Sequence, residues 1–479
     1  MSARARRRAG ASPSRPMGLL RITLVLGLLE AFGPLSMDLY LPQLPQLARS
    51  LDTSDALAQA TMSVCMIGLG IGQLIAGPLS DRFGRKRPLV VGVVLFAVLS
   101  AVCAVAPTIE VLLAARLMQG LAGSAGVVIS MAVARDLFHG IELSRMLSLL
   151  ALVTSLTPII APVIGGQLAR VMDWRGIFFV LAGIGVALVF VAVFGLRESL
   201  PETGHHSGSV LGTTVTHASV VLRDPLFVAL MLAACLGGAA FFSYLSMSSF
   251  VLQGQFGLTP QLFSLVFAMN ALSQLGGAQL SRVFVRRLGT ARMYLTGQLA
   301  GAAAAIALLV VTLLGAPAPV FIALLALYLG AAGLGGPNGT SLALGGHGSR
   351  AGTASALLGM AMFTAGAVAA PVVSALAGSS AATMATSVAA GSAAAALIGW
   401  LAVRRLAPAD AGRPLSARAR AEADAASLPG TATGPVAEAS VDPGTGAATD
   451  DDTGAAPTVP SETTGAPPET SPGRPEKLP

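Results

Sequence analysis

Apolar runs recur along most of the chain with short polar breaks between them, and a helix needs about 20 apolar residues to cross the hydrocarbon core of a bilayer. Counting such runs predicts twelve spans, at 19–41, 56–78, 88–106, 109–132, 145–168, 175–196, 225–248, 260–281, 291–314, 317–344, 353–377 and 383–404. Spans 3 and 4 are parted mainly by Pro107, and spans 9 and 10 by residues 315–319. The longest internal break, 197–224, divides the spans six and six and carries Glu198, Glu202, His205, His206 and Arg223. After 405 the pattern stops. Residues 406–479 are rich in Pro, Gly, Ala, Thr and acids, a composition that cannot bury enough surface to offset chain entropy. The expected organisation is a basic N-terminal tail (1–18), a first six-helix bundle (19–196), a central loop (197–224), a second six-helix bundle (225–405) and a disordered C-terminal tail (406–479). The fold class is all-α integral membrane.

Composition excludes the alternative of a large soluble core. Of 479 residues 54% are hydrophobic and only 11% charged, and the mean hydropathy is +0.73; a soluble surface needs more charge than that. The 55 glycines suit helices whose backbones approach closely in lipid. Cys65, Cys103 and Cys235 each sit inside an apolar run without a near partner, which argues against a disulfide framework or a zinc site. His205 and His206 read as a solvated pair in a polar loop. The start, with Arg4, Arg6, Arg7, Arg8 and Arg15, resembles the charged end of a signal peptide. Its apolar run continues past Pro34 to Leu41 without a small-residue cleavage site, so the sequence predicts a retained first helix.

The net charge of +7 is not a nucleic-acid patch, because the basic residues fall in bursts between spans. With the N-terminus in the cytoplasm, the inner loops hold Arg82, Arg85, Lys86, Arg87, Arg135, Arg145, Arg197, Arg223, Arg282, Arg286, Arg287, Arg292 and Arg350, followed by Arg404 and Arg405; the outer loops hold Arg49, Arg170 and Arg175. Basic residues favour the cytoplasmic side, so both termini are expected there, in the inner membrane of the cell. A short echo supports two halves: 79–86 after span 2 and 280–287 after span 8 both join the second and third spans of their half, as a parallel duplication requires.

A charge at the bilayer centre costs about 2.5–3.5 kcal/mol on insertion scales, so each one asks for a reason. Glu30 and Asp38 lie in span 1 and Arg116 in span 4. Eight residues of helix advance about 12 Å and turn about 80° net, so both carboxylates can face one cavity. Asp38 has the alternative reading of an interfacial residue beside Pro42, and Glu30 that of a partner for a buried arginine. As a functional pair they would bind and release protons, since low dielectric favours the neutral carboxyl. Arg116 stays charged in any setting and reads either as an interhelical brace or as a lever on the span 1 carboxylates. From 225 to 409 the chain has no Asp or Glu, so any membrane carboxylate that couples protons belongs to the first half. The second half offers Phe241, Phe242, Tyr244, Asn270, Gln274 and Asn338 as pocket candidates.

The loop after span 2 reads Gly77-Pro78-Leu79-Ser80-Asp81-Arg82-Phe83-Gly84-Arg85-Lys86-Arg87. It resembles the signature loop of the major facilitator superfamily, G-x-L-x-D-R-x-G-R-K/R-K/R, at every key position. Span 4 has Arg116-x-x-Gln119-Gly120, similar to that superfamily's proton-linked motif. Span 5 has Ala161-Pro162-Val163-Ile164-Gly165-Gly166, similar to its antiporter motif, with Ala161 in place of the usual Gly. The stretch 34–45, with Asp38 and Tyr40, resembles P-L-S-I-D-M-Y-L-P-A-L-P of the bicyclomycin/chloramphenicol resistance branch (Bcr/CflA) of drug:proton antiporters. Trp174-Arg175-x-x-Phe178 and 351–357 resemble further motifs of that branch. Glu30 is not a fixed feature of it.

The resemblance, over 19 to about 405, implies two six-helix bundles around a cavity that opens alternately to each side. It implies that the signature loop locks the outward-facing form, with Asp81 against the N-terminal end of span 11, where the helix dipole favours an anion, and Arg85 paired with Asp136. Tyr40 and Gln119 join the cavity candidates through their motifs. The expected function is proton-driven export of small, mostly apolar drugs or antibiotics. Its partners are the cargo, protons and the bilayer; no cofactor beyond the proton gradient, no metal and no nucleic acid are expected, and a monomer is. The alternative is export of an endogenous metabolite: a sugar, an amino acid or a self-made antibiotic. Catalytic carboxylate pairs, metal-spaced His/Cys and a nucleotide loop are missing from the sequence, which argues against an enzyme.

Overall fold

The structure is a computed structural model, and it describes residues 19–196, 198–199, 210–347 and 350–406. The expected tails, with Arg4 to Arg15 and 407–479, and the loop residues Arg197, Glu202, His205 and His206 lie outside the described residues. Among the described residues twelve long helices carry the fold: α1 (Leu19–Asp38), α2 (Asp55–Phe83), α3 (Lys86–Ala104), α4 (Ile109–Leu137), α5 (Gly140–Leu168), α6 (Trp174–Gly195), α7 (Pro225–Ser249), α8 (Pro260–Leu288), α9 (Thr290–Leu313), α10 (Ala318–Leu344), α11 (Ala351–Ala377) and α12 (Ala381–Leu406). Each expected span is found. Eleven of the helical segments are long and apolar enough to cross a membrane. The twelfth, α8, has the same length as its peers but carries Asn270, Gln274 and Gln279 along it and Arg282, Arg286 and Arg287 at its end.

Local chemistry sets the helix boundaries. Ser54, Asp173, Asp224 and Thr259 each accept a bond from a backbone N–H of the first turn, at 3.3, 3.0, 2.9 and 3.3 Å, which satisfies donors that a helix start leaves orphaned. Helices α2 and α8 stop at glycines in the left-handed region, Gly84 at φ 86° and Gly289 at φ 81°, a conformation that penalises any residue with a Cβ. These two turns correct the register of the internal echo. They occupy the same place in each half, between the second and third long helices, so Asp81-Arg82-Phe83-Gly84 matches Arg286-Arg287-Leu288-Gly289. The repeat is real in position but one helical turn away from 280–287.

Several boundaries differ from expectation: α2, α4 and α8 run on to Phe83, Leu137 and Leu288, past the expected 78, 132 and 281, and α5 starts at Gly140, ahead of 145. Helix α1 stops at Asp38, and the chain continues through a single 3₁₀ turn, Leu41–Gln43, into a short helix, Leu44–Ser50, that buries Leu44, Leu47 and Ala48. The central connector is not all loop, since Val210–Val221 is helical, too short to span, and ends with Val221 fully buried beside Phe227 and Ala354.

The core is distributed unequally along the helices. At the end where α1 finishes and α2 begins, one continuous apolar cluster includes Leu39, Tyr40, Met62 and Trp174 of the first half with Phe250, Phe263, Leu325 and Val388 of the second. At the opposite end, near Arg85, the halves have separate cores: Ile22, Phe96, Ile129 and Leu188 in one, Phe227, Tyr294 and Leu358 in the other. The halves are therefore joined at the Gln59 end and parted at the Arg85 end. Three glutamines reach across the joined end. Gln59 of α2 donates to Ser374 at 3.0 Å and Ser379 at 2.8 Å. Gln253, on a π-helical turn after α7, donates to the Pro42 carbonyl at 2.9 Å, and Gln261 of α8 donates to the Gly166 carbonyl at 3.0 Å.

Candidate functional site

Between the halves lies a cavity of about 220 Å³. From the first half it is walled by Pro34, Met37 and Asp38 of α1, Met66 and Leu69 of α2, and Pro158 of α5. From the second half Phe241, Phe242, Tyr244 and Leu245 of α7 face it, together with Phe267, Ala271 and Gln274 of α8, Leu329 of α10 and Phe363 of α11. Asp38 is the one charged residue of this lining. It is 7% exposed, and no hydrogen bond or ion pair reaches its side chain from the described residues. A carboxyl so placed has the cavity as its remaining source of partners.

Glu30 is elsewhere. Its Oε1 accepts a bond from the Thr154 hydroxyl of α5 at 3.1 Å, its Oε2 is buried without a partner, and it does not line the cavity. The two carboxylates of α1 thus do not share one cavity in this conformation. Pro34 lies between them and removes a backbone donor from the helix, so an ideal-helix angle does not carry from one to the other.

Arg116 of α4 is fully buried and pairs with neither carboxylate. Its Nε donates to the Thr61 carbonyl at 3.3 Å, and one terminal nitrogen donates to the Ser36 carbonyl at 3.3 Å and to Gln119 Oε1 at 2.7 Å. The guanidinium lies 4.7 Å from the Tyr40 ring centre and 5.5 Å from that of Phe178, so ring quadrupoles supply part of the solvation that water would. Gln119 is held on its other side by Ser100 at 2.7 Å, and Tyr40 shares a 2.9 Å bond with Thr61. Tyr40 and Gln119 are therefore the casing of a buried cation rather than cavity wall. Asn270 also stands behind the wall, donating to the Tyr244 hydroxyl at 3.2 Å. Asn338 is removed from the cavity altogether, bonded to Ser281 at 2.6 Å. Of the cavity candidates, Phe241, Phe242 and Tyr244 line it, and so does Gln274. Met37, Met66, Phe267 and Phe363 were not singled out from the sequence. The only available signal was a stripe such as Phe267, Ala271 and Gln274 at helical spacing, and that stripe serves lipid equally well.

At the parted end, Arg85 donates from Nε to Asp136 at 2.9 Å and from a terminal nitrogen to Ser80 at 2.8 Å, and it also pairs with Asp81. Burial disfavours its charge, and the carboxylates of Asp136 and Asp81 outweigh that and hold its pKa above the ordinary arginine value. Glu198 accepts from the backbone N–H groups of Arg85 at 2.7 Å and Lys86 at 3.1 Å, capping α3. Lys86 Nζ donates to the Val193 carbonyl at 2.7 Å, and the Ser199 hydroxyl donates to Asp136 at 3.1 Å. Arg82 lies over the Phe83 ring, 5.3 Å from its centre. The Asp81 side chain is 59% exposed and turned to Arg85, not docked on the start of α11. Gly77 is uncrowded here, since a methyl group at that position would meet only Val128, at 3.7 Å.

The glycine pair of α5 lies at the joined end. A Cβ at Gly165 would collide with the carbonyl of Leu39, just past the end of α1, and one at Gly166 would collide with the Ser264 hydroxyl of α8. Between them these residues let α5 touch its own half on one side and the opposite half on the other. Pro162 is buried in the turn before them.

The sequence profile described as the Major Facilitator Superfamily matches residues 26–371. The chain is 40% identical over 267 residues to an uncharacterized MFS-type transporter, YdgK of Bacillus subtilis, a match spanning 55% of this chain and 66% of that one. It is 31% identical over 276 residues to a bicyclomycin resistance protein homolog of Haemophilus influenzae, spanning 56% and 68%. These matches therefore cover about two thirds of each relative's length. The crystal structure of a D-xylose-proton symporter superposes with a TM-score of 0.65 at 16% identity, covering 83% of this chain and 100% of that one, a likeness of fold.

Proposed function

The chain belongs to the Major Facilitator Superfamily of membrane transporters, and from that membership we propose that it exports small, mostly apolar drugs or antibiotics in exchange for protons, by alternating access across the cytoplasmic membrane. The observation that carries this reading is Asp38 as the one charged residue on a mostly apolar and aromatic cavity wall. Relatives related to bicyclomycin resistance support the drug class.

In this reading Asp38 takes a proton when the cavity faces outward and cargo leaves. The neutral site then permits rocking to the inward-facing form. On the inside, release of the proton and binding of cargo compete for the same wall, and that competition makes the exchange obligatory. The distribution of Arg and Lys supports placing the parted, Arg85-bearing end and both termini in the cytoplasm, so the conformation described here is the inward-facing one. The domain limits of the reading are 19–196 and 225–405 for the two bundles. A sugar or amino acid would need several fixed polar partners, and the lining offers only Asp38, Tyr244 and Gln274 among its side chains; a mostly apolar cargo fits better.

The test uses everted vesicles energised by a pH gradient, with chloramphenicol as cargo. Wild type accumulates it and Asp38→Asn does not. Accumulation undiminished in Asp38→Asn removes the proton-coupling role.

A further inference from the structure

We propose that Gly366 of α11, which does not itself line the cavity, is a specificity-determining residue: it seats the Phe242 ring in the wall and so fixes how wide a cargo the cavity accepts. The inference rests on the export reading above and names a residue that controls it. A Cβ placed at Gly366 would collide with Cδ2 of Phe242 and lie 2.7 Å from its Cγ and 3.0 Å from its Cβ. Contacts that short do not persist in a packed interior, so one partner moves. Gly366 lies in the interior of a helix, where its backbone is fixed by the ladder of hydrogen bonds. The ring is the part free to rotate.

The ring's surroundings set the direction of that rotation. The Phe241 ring stands edge-on at 5.3 Å between centres, and the Phe363 ring stands at 5.8 Å. Phe363 is one turn before Gly366 on α11 and lines the cavity beside Phe242. With α11 packed against it and the Phe241 and Phe363 rings as neighbours, Phe242 lines the cavity and has it as its open direction. A side chain at 366 therefore moves the ring inward and narrows a space of about 220 Å³. Glycine at 366 gives the α7–α11 contact its close approach and the cavity its width.

The test measures dissociation constants in lipid nanodiscs for three amines of increasing ring width: benzylamine, naphthylmethylamine and anthracenylmethylamine. G366A is expected to leave benzylamine binding unchanged, which also shows the fold intact, and to weaken anthracenylmethylamine about tenfold, the scale of an overpacked apolar site. Truncating the displaced ring in the double variant G366A/F242A is expected to restore the widest amine. Loss of equal size for all three amines with no restoration in the double variant, or no change in G366A at all, overturns the assignment while leaving export standing. A wild-type protein that binds none of the three overturns this assignment, while the export reading stands or falls on the chloramphenicol test above.

Discussion

Gln59 of α2 and Ser374 of α11, 315 positions apart in the chain, are joined by a 3.0 Å bond across the two halves. The same amide reaches Ser379, and the two serine hydroxyls lie 2.5 Å apart. With Gln253 and Gln261 this makes the closure of the joined end a set of neutral amide contacts, without an ion pair among the described residues. Each such bond contributes about 0.5–1.5 kcal/mol net. Gln59→Ala combined with Gln261→Ala is therefore expected to shift the population toward the form open at that end. With Met37→Cys in the cavity wall as reporter, labelling by an impermeant thiol reagent from that side should quicken by at least about tenfold, because three bonds are lost. An unchanged rate would show that the apolar contacts alone hold the closure.

Arg116 leads to a second expectation. Its charge is held by two carbonyls, one amide oxygen and two rings, an arrangement that uses the planar fork. A lysine ammonium cannot reproduce it. Arg116→Lys should therefore lower the thermal unfolding temperature in nanodiscs, by about 1–3 kcal/mol of stability, the scale for buried polar groups left unpaired. Thermal stability equal to wild type would contradict the casing described for this residue.

Glu30 is expected to part company with Asp38. Its one bond is accepted from Thr154, and a glutamine oxygen accepts the same bond. Glu30→Gln should retain gradient-driven export at no less than about a third of wild type, a loss within about 1 kcal/mol, where Asp38→Asn loses it. Transport assays on the two variants side by side decide this, and equal loss in both would return Glu30 to the coupling site.

The signature loop is undocked in this conformation, with Asp81 exposed and Gly77 uncrowded. Gly77→Leu should thus fold with stability within about 0.5 kcal/mol of wild type, as surface changes do, yet stall turnover by obstructing the approach of the two halves at this end. Melting temperature and thiol labelling of Met37→Cys from the outer side report the two effects. Outer labelling should fall, and a rise would show that the loop does not close on that side.

Much of this was legible in the chain because lipid makes a strict demand: twelve apolar runs of helical length have few other uses. Asp38 stood out because a carboxylate in such a run is expensive, and Arg85 with Asp136 stood out through the signature motif. Other features were hidden for physical reasons. An apolar residue facing cargo and one facing lipid look alike, so Met37, Phe267 and Phe363 carried no mark. The angle between Glu30 and Asp38 was counted along an ideal helix that Pro34 interrupts. The echo in the second half slipped by one turn because Ser281-Arg282 imitates Ser80-Asp81-Arg82 in composition, whereas the left-handed turns at Gly84 and Gly289 fix the true register. Gly366 matters only through Phe242, more than a hundred residues away in the chain, a relation that exists only once α7 and α11 pack.

The central claim is that cargo and a proton compete at Asp38, and the most direct measurement is proton release on binding. Purified protein in lightly buffered nanodiscs, mixed with chloramphenicol and a pH-indicator dye, should release protons in wild type and in Glu30→Gln and none in Asp38→Asn. Release that persists undiminished in Asp38→Asn, with chloramphenicol still bound, would contradict the account.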